Sequence, residues 1–77
     1  MEKTLREIPL GKPATVRSVD LDEAMQTRLG ELGLVPGCPV RCLYAAASGD
    51  PRAYLVRGTV LAIRNRDASR IEVTVWD

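Results

Sequence analysis

The sequence contains no histidine and no phenylalanine, and its only aromatic residues are Tyr44, Tyr54 and Trp76. Without imidazole, general-base catalysis at neutral pH and most zinc and iron sites lose their usual donor. With so few rings, the chain cannot line an aromatic groove for proline-rich peptides. It also lacks the several exposed rings that a stacking platform for single-stranded nucleic acid needs. Charge of one sign is missing as well. Eleven Lys and Arg stand against ten Asp and Glu, a net charge of +1, so bulk attraction to nucleic acid or to an anionic membrane is not indicated. No apolar run approaches the ~20 residues of a membrane span. The N-terminal M-E-K-T-L-R-E has no signal-peptide core, so a cytoplasmic location without membrane insertion is expected.

Cysteine is scarce too. Cys38 and Cys42 lie four residues apart in an expected strand, which separates their Cα atoms by roughly 13 Å. A disulfide needs less than ~7 Å, so they cannot pair, and the same span keeps them from gripping one metal ion. They read as small buried hydrophobes in a reducing compartment. No nucleophile–base pair can be assembled from the Ser and Thr present. L-G-K-P (residues 10–13) lacks the spacing of a phosphate loop. Asp20, Asp22 and Glu23 form the densest carboxylate group, but at a helix start, where capping and the helix dipole account for them. Neither catalytic, cofactor nor metal residues are expected.

What is present begins with one strong helical signal at residues 20–37. Asp20 and Glu23 fit a capping box. Leu21, Ala24, Met25, Leu29 and Leu32 recur at three- and four-residue steps as an apolar stripe. Gly33 ends the helix at C′, which places Leu34 at C″ against Leu29 at C3. Pro36-Gly37 signals a type II turn. Gly30, inside the helix, costs roughly 1 kcal/mol against Ala. Close packing of a strand on the helix would explain it, and so would no special reason.

The rest of the chain reads as β. Residues 4–8 suggest one helical turn with T-L-R-E as a second capping box, stopped by Pro9. A14-T-V-R-S-V19 is a strand with Ala14 and Val16 on one face. C38-P-V-R-C-L-Y-A-A46 is another, with Val40 and Cys42 inward. In R52-A-Y-L-V-R-G-T-V-L-A-I-R64 the inward parity changes from Tyr54 and Val56 to Leu61 and Ile63. A two-residue hairpin loop at Gly58-Thr59, of type II′, accounts for this and sets Val56 opposite Leu61; a bulge or bend at Gly58 is the alternative. Residues 65–70 form a short connector, such as a 3₁₀ turn. Ile71, Val73 and Val75 then face inward on a last strand. The expected fold is mainly β: a single domain over residues 1–77, a small SH3-like five-stranded, partly open barrel with one helix inserted after the first strand.

Several pieces occur together in order: L-x-x-I-P-L-G (residues 5–11), R-L-G-E-L-G-L-V-P-G (28–37), G-D-P (49–51), V-R-G-x-x-L-A-I-R (56–64) and A-x-x-I-x-V (68–73). In this combination the chain resembles the FeoA family over almost its whole length. That resemblance implies a small cytoplasmic SH3-like protein that accompanies the FeoB ferrous iron transporter, a membrane protein with a cytosolic GTPase domain. It implies action by partner contact rather than by chemistry or iron carriage. A related domain forms the C-terminal part of iron-dependent repressors of the DtxR type. Cys42 departs from the family's usual β-branched residue at a core position. Leu55 and Val60 stand where the family usually has polar residues, and both point out of the barrel beside the hairpin.

The expected partner-binding residues follow from rigidity and exposure. Leu34 and Val35, stiffened by Gly33 and Pro36, would present an apolar knob beside Arg28; the alternative is that Leu34 is used up by its contact with Leu29. Leu55 and Val60 form a second apolar patch. Because the implied partner is a GTPase, Arg28, Arg57 and Arg64 are candidates for an arginine supplied in trans. The competing readings are a nucleic-acid-binding small barrel, drawn from Arg57, Arg64, Arg66 and Arg70 on the fourth strand and the connector after it, and a metal-regulator-type domain, which would need a site shared between chains.

Overall fold

The computed structural model describes residues 2–76. Its strands are β1 (Glu2–Thr4), β2 (Pro13–Val19), β3 (Pro39–Ala45), β4 (Arg52–Val56), β5 (Thr59–Ile63) and β6 (Ile71–Val75), with helices α1 (Glu23–Glu31) and α2 (Asn65–Ala68). They form one six-stranded sheet in the order β1-β6-β2-β3-β4-β5. Every neighbouring pair is antiparallel. The sheet is partly open, with β1 and β5 as its two edges.

Period-two alternation builds the core. Ala14 and Val16, Val40 and Cys42, Tyr54 and Val56, Leu61 and Ile63, and Ile71 and Val73 are all buried. Leu5 and Ile8 plug one end from a 3₁₀ turn (Leu5–Glu7) that follows β1. The Glu7 carboxylate holds that turn, accepting from the Thr4 backbone N–H at 2.8 Å and from its hydroxyl at 2.9 Å. Those two donors lower the pKa of Glu7 below the ordinary 4.5. The Arg52 guanidinium crosses from β4 to donate to the carbonyls of Arg6 and Ile8. The Tyr54 hydroxyl, fully buried, donates to the Leu5 carbonyl at 3.3 Å. Both cysteines are buried and unbridged.

Several expectations need correction. The strands number six, because Glu2–Thr4 pairs with β6 as β1, with Lys3 opposite Val73. A three-residue edge of E-K-T carries no alternation of its own, so only its partner defines it. The helix starts at Glu23, and the cap is Asp22, whose carboxylate accepts from the Met25 N–H at 2.9 Å. Asp20 instead belongs to the sheet end, where its N–H donates to the Arg70 carbonyl and its carboxylate lies 3.6 Å from the Arg70 guanidinium. Ala24 and Leu32 of the expected buried stripe are exposed.

The hairpin loop is Arg57-Gly58, one residue earlier than expected. Val56 lies opposite Thr59, and Tyr54 opposite Leu61. Both loop residues have positive φ, 50° and 80°, which is the type I′ pattern rather than II′. Arg57 replaces the Asn or Asp usual at that position, which hid the turn. The inward faces survive because moving a two-residue loop by one position shifts the pairing by two. The connector after β5 is a short α-helix, closed by i→i−4 bonds from Ala68 to Arg64 and from Ser69 to Asn65, each 2.9 Å.

The helix C-terminus forms as expected. Gly33 has φ +101°, its N–H donates to Gly30, and the Leu34 N–H donates to Leu29, each at 3.0 Å. This pair of bonds is the Schellman arrangement. It carries Leu34 into the core.

Candidate functional site

A groove of about 410 Å³ lies between α1 and the edge strand β5, closed at one end by α2. One wall is Met25, Arg28, Leu29 and Leu32, positions that fall on a single helix face at i, i+3, i+4 and i+7. The other wall is the run from Val60 to Arg64, and Arg66 and Asp67 of α2 form the end. The Asp22 cap and the Gly33 termination fix the length and pitch of the helical wall. Gln26 fixes its start, donating from Nε2 to the carbonyls of Val19 (2.7 Å) and Leu21 (2.8 Å).

The floor is apolar and the rim is basic. Leu29, Leu61 and Ile63 are buried, whereas Leu32 is 42% and Val60 53% exposed. Arg28, Arg64 and Arg66 are exposed. Among the described residues the ion pairs are Arg17–Glu2 and Arg70–Asp20, so none engages these three arginines. Asp67 is the single acidic residue lining the groove. Arginine is enriched at protein contact surfaces, and here three unengaged arginines surround the exposed aliphatic groups.

Three of the six expected contact residues, Arg28, Val60 and Arg64, are brought together here. Leu55 lies directly opposite Val60 across the β4–β5 ladder. It borders a different, smaller hollow with Arg41, Arg57 and Trp76. Leu34 is a correction: at 2% exposure it is core, so it presents no knob. The same Schellman turn that stiffens it also buries it. Val35 is half-buried and packs against the core. Arg57 is not at the groove; its aliphatic stem lies over Gly33. The lining residues missed from sequence are Met25 and Leu32, and Arg66 was named only for the nucleic-acid reading. Met25 and Leu32 read only as part of an apolar helix stripe, and only the position of β5 shows that this stripe lines an open groove.

Other chemistry is sparse. Among the described residues no group of three or more His, Cys, Asp or Glu could hold a metal ion. Among the described residues no helix is long and apolar enough to cross a membrane. Burial pushes the Tyr54 phenol up to about 12, a property of a core hydroxyl and not of a reactive one. Tyr44 and Trp76 are exposed, and neither lines the groove.

No curated protein matches the chain at sequence level. Solved structures do. The FeoA protein from Chlorobium tepidum is 35% identical, with a TM-score of 0.92 over 96% of this chain and 70% of that one. Stenotrophomonas maltophilia FeoA complexed with zinc is 40% identical, with a TM-score of 0.76 over 95% of this chain and 88% of that one. That protein is described as an SH3 domain protein and a proposed ferrous iron transport activating factor. The T. acidophilum IdeR structure shares the fold, with a TM-score of 0.81 at 21% identity over 97% of this chain and 34% of that one. The FeoA domain family model matches residues 3–75, nearly the whole chain, and the chain therefore belongs to the FeoA family of small SH3-like proteins associated with ferrous iron transport.

Proposed function

We propose that the protein is a non-enzymatic, cytoplasmic accessory of ferrous iron uptake. It acts by contact between its α1–β5 groove and the cytosolic part of a FeoB-type transporter, and it modulates the GTPase of that transporter or its assembly. The carrying observation is the groove itself: exposed Leu32 and Val60 flanked by Arg28, Arg64 and Arg66. A surface of this kind binds with little loss of side-chain entropy at its apolar centre and gains steering from its rim. The S. maltophilia relative, described as a proposed ferrous iron transport activating factor, supports the same role. Of the three arginines considered for supply in trans, Arg28 and Arg64 reach solvent at the groove.

The test is capture of a GTPase-bearing transporter from native membranes with this protein as bait. The native chain is expected to recover it. Val60→Asp and Arg28→Glu, both at exposed positions, are expected to lose it, and Arg41→Glu at the other hollow to retain it. Equal recovery by all four forms contradicts the assignment of the face, and no recovery by the native chain contradicts the partner.

A further inference from the structure

We infer that the α1–β5 groove takes an extended acidic segment of a partner protein, which adds to the sheet as a seventh strand paired backbone to backbone with β5. The inference rests on the contact reading above and adds the form and charge of what fills the groove.

The first observation is the free edge. β5 pairs with β4 alone. In a two-residue type I′ hairpin the residues flanking the loop exchange both hydrogen bonds, and the pattern then alternates. With Val56 opposite Thr59, Thr59, Leu61 and Ile63 bond to β4. The N–H and C=O groups of Val60 and Ala62 point the other way, along the open edge. Val60 and Ala62 both line the groove.

The second observation is that this edge is unguarded. Folded proteins blunt sheet edges with charge, proline, bulges or very short strands. The opposite edge, β1, follows the rule: it is three residues long and bears Glu2 and Lys3. β5 is T-V-L-A-I, five residues with no charge and no proline, and its ladder with β4 has no register shift. An edge of that kind is a template for another strand.

The third observation is the wall facing it. An edge strand opposed by one helix face makes a slot in which main-chain bonds give affinity and alternate side chains find pockets. Here the facing helix supplies Met25, Leu29 and Leu32 as the apolar wall, with Arg28 beside them. Charge then selects the occupant. Arg28, Arg64 and Arg66 against Asp67 leave the groove basic. A second copy of this chain would bring three more arginines against these, which disfavours β5–β5 pairing. A segment carrying Glu or Asp at alternate positions satisfies both the edge and the rim.

The experiment uses the full ¹⁵N-labelled chain and three end-blocked octapeptides: alternating glutamate–valine, alternating lysine–valine, and the glutamate–valine peptide with every amide N-methylated. The glutamate–valine peptide is expected to slow hydrogen exchange at the Val60 and Ala62 amides by about tenfold or more at saturation. The paired variant Arg28→Glu, Arg64→Glu is expected to weaken it by about tenfold. The other two peptides are expected to leave both amides unchanged. Unchanged exchange with the glutamate–valine peptide overturns the inference. So does equal binding of the lysine or N-methylated peptide, or protection that grows with protein concentration alone alongside a doubled mass. Membrane capture separates this from the proposed function. If the transporter is captured but the peptide adds no strand, only the mode of binding falls; if the peptide adds but no transporter is captured, only the partner falls.

Discussion

At the scale of single residues, two glycines three positions apart answer to different physics. Gly33 has φ +101°, and a Cβ there would sit 2.6 Å from the Arg57 Cδ. Gly33→Ala is therefore expected to lower stability by about 1–2 kcal/mol through backbone strain, even after the Arg57 stem moves aside. Gly30 is helical, and a Cβ there meets only Val35 Cγ1 at 3.7 Å, an ordinary contact. No strand packs so closely as to require it. Gly30→Ala is expected to raise stability by about 0.5–1 kcal/mol, and urea midpoints of the two variants should move in opposite directions. Tyr54 gives a pH-dependent test. Burial raises its phenol from 10.0 to about 12. A raised folded value means the contribution is whole below pH 10 and is lost as pH climbs toward about 12. Tyr54→Phe removes that ionisation and leaves the Leu5 carbonyl without its donor. It should cost about 1 kcal/mol at neutral pH and flatten the decline in melting temperature between pH 10 and 12.

At the scale of elements, the helix start discriminates between two aspartates that look equivalent in sequence. Asp22 accepts from Met25 N–H, so Asp22→Ala should cost about 1 kcal/mol. Asp20 makes an exposed ion pair with Arg70 at 3.6 Å, and Asp20→Ala should stay within about 0.5 kcal/mol. Thermal melts of the two variants decide which residue is the cap. Both D-x-x-E and the observed D-E-A-M have the right chemistry, and only the docking of Asp20 onto the Arg70 carbonyl settles the frame. The inward faces of β2 to β6 were legible, because a period of two survives local error. The Gly33 stop was legible because αL geometry singles out glycine. β1 was not, since an edge of three residues is defined by β6. The type I′ turn was not, since Arg57 is an unusual residue at φ 50°. At the site, Arg28, Val60 and Arg64 could be named from exposure and chemistry. Their convergence with Met25, Leu32 and Arg66 depends on how α1 lies beside β5, which local sequence does not encode. Leu34 failed as a contact because the turn that sets it against Leu29 also buries it, as the alternative reading had it.

At the scale of the whole molecule, several polar side chains are tied into the fold. Tyr54, Arg52, Asp22 and Glu7 hold backbone groups, and both cysteines are core. The α1–β5 groove brings unengaged arginines and exposed aliphatics together on one surface. The direct test is hydrogen–deuterium exchange on the native chain with and without the purified cytosolic domain of a FeoB-type transporter, read peptide by peptide. The account predicts slowed exchange confined to the segments carrying α1 and β5, with the β3 segment around Arg41 unchanged. Slowed exchange around Arg41 and Trp76 with α1 and β5 unaffected would contradict it.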